Sequence, residues 1–365
     1  MELVYDKKKT IKEIEELVKK EQYMNEDINI SNKNGAFILG DNFNIMSRLL
    51  RNYENKIDLI YIDPPFNTSS CFFYKKDRVS TVSFEKDSTI AYDDNLEIEQ
   101  YLEFMRERLY LIWRLLSNQG TLYLHIDLKI GHYLKIILDE IFGKENYIND
   151  ITRIKSNPKN FSRKAFGNEK DVIYIYSKKE KKNIFNNVKE ALNDEEIKRL
   201  FPKIDSSGRR YTTVPCHAPG ETVNGTTGQP WRGILPPKGR HWRCSPCDLE
   251  KMDKDGLIEW SSNGVPRIKK YALEHKGKKI QDIWNFKDPQ YPIYPTEKNY
   301  KMLEMIIKQS SNEESIIMDC FCGSSSFIKA GINNNRCVIG IDKSDIACDV
   351  SKSREELGNI DFILG

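Results

Sequence analysis

The chain has 365 residues, 30% of them charged and 39% hydrophobic, with a formal net charge of +3. That length admits two or three domains, or one α/β domain with a large insertion. No apolar run approaches the ~18–20 residues that span a bilayer, and the start, Met1 to Lys7, lacks the apolar core of a signal peptide; a cytoplasmic protein without a membrane partner is expected.

Apolar positions at Ile11, Ile14, Leu17 and Val18 predict a packing helix within 7–24. Ala36–Leu39 reads as a short strand ending in Gly40-Asp41-Asn42, and a helix through Ile45, Met46, Leu49 and Leu50 follows. Ile57–Ile62 reads as a buried strand that runs into Asp63-Pro64-Pro65-Phe66. Proline cannot donate to a sheet ladder, so the strand stops there. A carboxylate, rigid carbonyls and an aromatic face are left at the carboxyl end of a strand, where open α/β sheets bind ligands. That set suits a planar base carrying an exocyclic amine. Residues 67–95 are polar and predict a mobile loop over the site. A helix over 96–117 carries Ile98, Tyr101, Leu102, Met105, Leu109, Ile112, Trp113 and Leu116 on one face and ends before Gly120. Strand Thr121–Ile126 and helix His132–Phe142 come next. The alternation argues for a parallel sheet with helices on both faces. His125, beside Asp127, reads as structural.

From about residue 150 the rhythm breaks, and Val172–Tyr176 is the one clear strand in a stretch rich in Gly, Pro, Trp and basic residues. Between Arg153 and Lys189 eleven Lys/Arg face three Asp/Glu. Such a run is most often a solvated face, but with Asn and aromatics interleaved it also fits a phosphate-contacting surface. Trp231 and Trp242 with Arg232, Arg240 and Arg243 read equally well as DNA contacts or as an aromatic mini-core. His241, Cys244 and Cys247, with Cys216 and His217, lack the second paired half of a strong zinc motif, so free thiols and no metal are expected.

The rhythm returns with helix Lys298–Lys308, strand Ser315–Met318, a turn at 319–325, helix Ser326–Gly331 and strand Cys337–Ile341. Backbone N–H groups at such a turn can face a ligand. Asp342 lies nineteen residues after Gly323, the spacing of an acid that holds ribose hydroxyls. The turn has one glycine where a dinucleotide fingerprint needs three, and no Walker-type sequence occurs. A nucleoside cofactor without a pyrophosphate points to S-adenosylmethionine. The string Phe-Ile-Leu-Gly occurs at 37–40 and again at 362–365, which reads as coincidence.

Asp63-Pro64-Pro65-Phe66 and Asp319-Cys320-Phe321-Cys322-Gly323 together resemble the catalytic and cofactor motifs of amino-methylating DNA methyltransferases. Their order resembles the circularly permuted β class of that family. Tyr294-Pro295-Thr296-Glu297-Lys298 is similar to its Pro-Thr-x-Lys element, and Leu39-Gly40-Asp41-Asn42 to its cofactor acid motif. The stretch from Gln229 to Trp242 resembles a recognition region of type III-like and solitary members. The resemblance implies a Rossmann-like α/β sheet, circularly permuted, with an inserted target-recognition region. It divides the chain into a helical segment at 1–30, a catalytic half at 31–150, the insertion at 151–290 and a cofactor half at 291–365.

It also implies roles. Asp63, Pro64, Pro65 and Phe66 would be catalytic, Phe66 stacking on a flipped base while Asp63 and the Pro64 carbonyl accept from its amine. Asp41, Asp63, Thr296, Lys298, Asp319, Phe321, Gly323, Ser324 and Asp342 would bind S-adenosylmethionine, with Thr296 and Lys298 near its carboxylate. Lys155, Arg163, Lys164, Arg232, Arg240 and Arg243 would contact double-stranded DNA. Asp at position 63 resembles the N6-adenine members; N4-cytosine modification and a catalytically weak DNA-binding subunit are the alternatives. A homodimer and a restriction subunit are the further partners implied. The family turn ends Gly-x-Gly, whereas this one reads Gly323-Ser324-Ser325, so a positive φ at Ser325 would be costly.

Overall fold

A computed structural model describes residues 2–65, 71–74, 89–93, 97–155, 164, 166–290, 292, 294 and 297–365. The chain divides into a larger unit, 1–188 with 281–365, and a smaller one, 189–280.

The larger unit is built on a nine-stranded sheet. Its strands are β1 (Gly35–Leu39), β2 (Ile57–Ile62), β3 (Leu116–Ile126), β4 (Tyr147–Ile154), β5 (Lys170–Ser177), β6 (Ile283–Trp284), β7 (Ile316–Asp319), β8 (Cys337–Asp342) and β9 (Asp361–Leu364). Their spatial order is β6-β4-β5-β3-β2-β7-β8-β1-β9. The run from β3 to β9 is parallel, and β5 enters antiparallel to both β3 and β4. The central strands are continuous apolar runs, as sheets covered on both faces require.

The helices of this unit are α1 (Ile11–Met24), α2 (Asn42–Tyr53), α3 (Ile98–Leu115), α4 (Leu128–Phe142), α5 (Tyr300–Ser310), α6 (Ser326–Ile332) and α7 (Asp345–Lys352). Their starts follow local chemistry. Thr10 and Glu13 form a capping box on α1. The Asp127 carboxylate accepts from Lys129 N, so α4 begins at Leu128, one turn earlier than its apolar pattern predicts. Asn299 caps α5.

Three sequence expectations change. The strand expected at 172–176 extends to 170–177 and belongs to the main sheet, with β4 beside it. Within 67–95, Cys71–Tyr74 and Thr89–Asp93 pair as an antiparallel hairpin, and the rest of the expected loop lies outside the described residues. The repeated Phe-Ile-Leu strings lie side by side in parallel register, Phe37 against Phe362 and Leu39 against Leu364, with the Phe rings 5.8 Å apart.

The smaller unit has a four-stranded antiparallel sheet: Ile258–Trp260, Pro266–Tyr271, Arg210–Pro215 and Lys203–Ile204, in that order. A two-stranded ribbon pairs His217–Pro219 with Arg240–Trp242. Its core gathers Cys216, Trp231, Trp242, Leu249, Ile258 and Ile268. Trp231 is 3% and Trp242 2% exposed, so the mini-core reading holds for both rings.

Candidate active site

The register Ile317↔Leu59 and Met318↔Ile60 brings the carboxyl ends of β2 and β7 to one sheet edge. From β2 the chain continues to β3 on one side; from β7 it continues to β8 on the other. The strand order therefore reverses between β2 and β7, and a crevice at such a point is where open α/β sheets bind ligands.

Asp63 stands just past β2. Its Oδ2 accepts from Lys298 Nζ at 2.5 Å, and the two side chains are 14% and 9% exposed. Its Oδ1 is buried and accepts no hydrogen bond from the described residues. His125 Nδ1 lies 3.6 Å from that oxygen. His125 Nε2 meets Asp171 Oδ2 at 3.3 Å and its Nδ1 meets Tyr61 Oη at 2.9 Å. A carboxylate only accepts, so the ring proton sits on Nε2 and Nδ1 accepts from the tyrosine. Burial holds His125 below its ordinary pKa, against the pull of Asp171 and Asp63. Burial also pushes the Asp171 carboxyl up, but its bonds to His125 and Lys155 prevail and hold it at about 2. Lys155 Nζ lies 2.5 Å from Asp171 Oδ1, and Arg153 is tied to the Phe286 carbonyl at 3.0 Å and to Asp288. Tyr101 Oη, on α3, donates to the Pro65 carbonyl at 2.6 Å and fixes the two-proline segment.

At the end of β7 the turn closes on itself. Asp319 Oδ1 accepts from Phe321 N at 2.9 Å, and burial raises its pKa. Asp342, ending β8, accepts from Gly323 N at 2.8 Å and Ser344 N at 2.9 Å, and burial raises its pKa too. Gly323 has φ +44° with the Tyr294 ring against it; an added Cβ would come within 3.3 Å of that ring. Ser325 takes the left-handed conformation, φ +58°, ψ 22°. Its buried hydroxyl meets Ser351 Oγ at 2.5 Å and its N–H reaches the Cys322 carbonyl at 2.8 Å. Those bonds oppose a backbone cost of roughly 1–2 kcal/mol. Arg354 Nε holds the Ser324 carbonyl at 2.8 Å, and Ser324 Oγ meets Ser326 Oγ at 2.8 Å.

Asp41 caps α2 through Phe43 N, at 2.9 Å, and pairs with Arg108 at 3.1 Å while remaining 45% exposed. Arg108 bonds Asn42 Oδ1 at 2.5 Å, and Asn42 Nδ2 reaches the Cys320 carbonyl at 2.8 Å. The Arg108 guanidinium lies 3.6 Å from the centre of the Phe104 ring, and Phe104 meets Phe321 at 6.2 Å. Asn42 and Arg108 thus tie α2 and α3 to the turn after β7, a link no short motif announces.

The expected residues are therefore only partly gathered. Asp41, Asp63, Pro64, Pro65, Lys298, Asp319, Phe321, Gly323, Ser324 and Asp342 belong to elements that meet at this edge; Phe66, Thr296 and Arg163 lie outside the described residues. Lys298, expected near a cofactor carboxylate, is bonded to Asp63, and Lys155, expected on DNA, is bonded to Asp171. Lys164 is exposed. In the smaller unit Arg232 is clamped by Glu250, at 2.8 and 2.9 Å, and by Asp253, at 2.7 Å; Arg240 and Arg243 are exposed. Among the described residues no cluster of three His, Cys, Asp or Glu side chains is placed to hold a metal, and no helix is long and apolar enough to cross a membrane.

The family model of N6/N4 DNA methylases matches residues 57–353. The chain belongs to that family. It is a DNA methyltransferase that draws its methyl group from S-adenosylmethionine. A type II methyltransferase of Enterobacter cloacae, M.EcaI, is 40% identical over 88% of this chain and 70% of its own length. The Mod subunit of the type III restriction-modification enzyme StyLTI of Salmonella typhimurium is 24% identical over 81% of this chain, which spans 49% of that subunit. The M1.HpyAVI–SAM complex superposes with a TM-score of 0.45 at 15% identity, over 87% of this chain and 99% of its own.

Proposed function

We propose that this methyltransferase modifies the N6 amine of an adenine flipped out of double-stranded DNA at a specific site. The observation that carries the reading is the divided Asp63 carboxylate: Oδ2 is held by Lys298, and Oδ1 is buried and open. A buried acceptor without a donor is costly, so a ligand N–H belongs there. An exocyclic amine supplies one.

Asp63 Oδ1 and the Pro64 carbonyl accept from that amine and draw its lone pair out of conjugation with the ring. Phe66 stacks on the base. Tyr101, through the Pro65 carbonyl, keeps the acceptors in place, so catalysis is chiefly positioning and electrostatics. The proton that the amine loses passes to Asp63 Oδ1. The residues that fit the cofactor are the turn Phe321–Ser324, where Gly323 gives close backbone approach, with Asp319, Asp342, Asp41 and Lys298 beside it; the resemblance adds Thr296, which lies outside the described residues. Bound there, S-adenosylmethionine supplies the electrophilic methyl. His125, with its proton committed to Asp171, leaves Oδ1 unclaimed.

The acid at position 63 supports adenine, since N4-cytosine members more often carry Ser there. Mass spectrometry of nucleosides from DNA treated with the protein and S-adenosylmethionine tests this. N6-methyladenine is expected; N4-methylcytosine would move the assignment to the other base. The restriction-modification relatives support a restriction subunit as partner. The resemblance extends to a homodimer, checked by light scattering, and to a cytoplasmic enzyme.

A further inference from the structure

Four adjacent strands of the main sheet carry a row of buried polar side chains that leads away from Asp63. In spatial order β2, β3, β5 and β4 supply Tyr61, His125, Asp171 and Arg153. Each is at most 2% exposed. The register explains the row. Tyr61 stands opposite Tyr123, His125 opposite Ile173, and Asp171 opposite Arg153. Alternate residues of a strand share a face, so the four lie on one side of the sheet.

The row is joined end to end. Tyr61 Oη donates to His125 Nδ1 at 2.9 Å, and His125 Nε2 lies 3.3 Å from Asp171 Oδ2. Asp171 Oδ1 accepts from Lys155 Nζ at 2.5 Å, and Arg153 Nη1 lies 3.6 Å from Oδ2. Two contacts put the ring hydrogen of His125 on Nε2. The Asp171 carboxylate accepts there, and the Tyr61 hydroxyl, which burial keeps protonated, donates at Nδ1. The Nδ1 lone pair therefore stands 3.6 Å from Asp63 Oδ1 and has no hydrogen to give it.

The other tautomer would close the site. A hydrogen on Nδ1 points into the space shared by Tyr61 Oη and Asp63 Oδ1, and a carboxylate accepts more strongly than a neutral hydroxyl. We propose that Asp171 is a positioning residue for Asp63: by holding His125 in the Nε2–H form, it withholds an internal donor from Oδ1 and reserves that oxygen for the substrate amine. The inference deepens the proposed function and rests on Asp63 receiving that amine. Acid reverses the lock, because a protonated ring carries a hydrogen on both nitrogens and puts a cation beside Oδ1. The groups that face the ring are Tyr61 on β2 and Asp63 past its end, Asp171 on β5, Arg153 on β4 with Lys155 past its end, and Lys298 before α5. Burial holds the ring below its ordinary pKa, with the two carboxylates opposing and Lys298 and Arg153 adding to the effect. The lock therefore holds at neutral pH.

The test reads the ring directly, on the full chain. Ring-nitrogen NMR of histidine-labelled protein should show His125 as the Nε2–H tautomer, its signals being those that vanish in His125→Leu. Asp171→Asn should invert the tautomer. Lys155 claims the amide oxygen, the amide NH2 turns to Nε2, and the hydrogen moves to Nδ1; an asparagine put in place of an acid behind a histidine has that effect. Single-turnover methyl transfer should then fall about 10- to 100-fold, the worth of one hydrogen bond to a charged group, with calorimetric affinity for S-adenosylmethionine retained. The double variant Asp171→Asn/His125→Leu, which removes the misdirected donor, should be faster than Asp171→Asn alone, whereas a merely structural pairing would make it slower. In the native chain the transfer rate should drop at the pH where NMR shows the ring taking up its second hydrogen. A native ring with its hydrogen on Nδ1 overturns the proposal. So does an unchanged tautomer in folded Asp171→Asn, or a double variant slower than the single. If Asp171→Asn fails to fold, the native tautomer and the match between acid limb and ring titration decide the matter. Failure of any of these leaves the reading of Asp63 intact; Asp63→Ala transferring at the native rate would remove that reading, and this inference with it, whatever the tautomer.

Discussion

Asp63 and Asp342 stand at the same edge of one sheet and differ in what their oxygens meet. Asp342 has a backbone N–H on each oxygen, from Gly323 and Ser344. Asp63 has an ammonium on one oxygen and no hydrogen bond from the described residues on the other. The first arrangement shapes a turn and leaves only residual accepting capacity for a ligand. The second leaves an unmet acceptor, which the proposed function gives to the substrate amine. In the smaller unit Arg232 is bonded to acids, whereas Arg267 donates to the hydroxyl and carbonyl of Thr213.

The sharpest break of the comparison is Asp63→Ala. Loss of the open acceptor should lower single-turnover methyl transfer by about 10³-fold, the upper range for one preorganised polar contact, with cofactor affinity retained. Transfer within tenfold of the native rate would remove Asp63 from the chemistry. Next comes Lys298→Met, which strands a buried carboxylate; denaturant titration should show a loss of about 3 kcal/mol. Lys298→Arg should recover most of it.

Asp171 offers a smaller, pH-dependent effect. Its folded pKa of about 2 lies below the ordinary carboxylate value. A depressed carboxyl stabilises the fold above its unfolded pKa and loses that contribution as pH falls through the folded one. Acid titration should therefore show about 2 kcal/mol disappearing between roughly pH 4 and pH 2, with a flatter limb in Asp171→Asn. Asp342→Asn should raise the cofactor Kd about tenfold with kcat little changed at saturation; a kcat defect instead would erase its difference from Asp63.

The smallest effect belongs to Ser325. Ser325→Gly relieves the left-handed backbone but gives up the Ser351 bond, so stability should change by no more than about 1 kcal/mol. Ser351→Ala should cost about 1 kcal/mol in the native background and little once Ser325→Gly has already removed the partner hydroxyl, as thermal denaturation of the four combinations would show.

Much of this edge was legible in the chain because its signals are local. A strand stopped by Pro64 and Pro65, a glycine turn, and an acid nineteen residues on all lie within short windows. What escaped depends on distance or on one polar group. Tyr147–Ile154 hides its strand behind Asn149, Asp150, Thr152 and Arg153, because only a neighbouring strand makes those residues worth extending. The motif around Lys298 showed a cation near the site, but its partner, Asp63, is remote in sequence. Asn42 and Arg108 meet through side chains from two helices, and no spacing rule links them. Arg232 was expected on DNA, but Glu250 and Asp253, distant in sequence, hold its guanidinium.

The pairing of β2 with β7 joins Leu59 to Ile317. A ribosome delivers the first strand, at about 5–20 residues per second, well before the second. Until β7 emerges, β2 can pair with β3 alone, and its other edge has no native neighbour. High contact order of this kind slows folding and exposes strand edges. Nascent or truncated chains that stop short of residue 316 would carry β2 and Asp63 without the strand's second sheet partner, and would be candidates for chaperone capture.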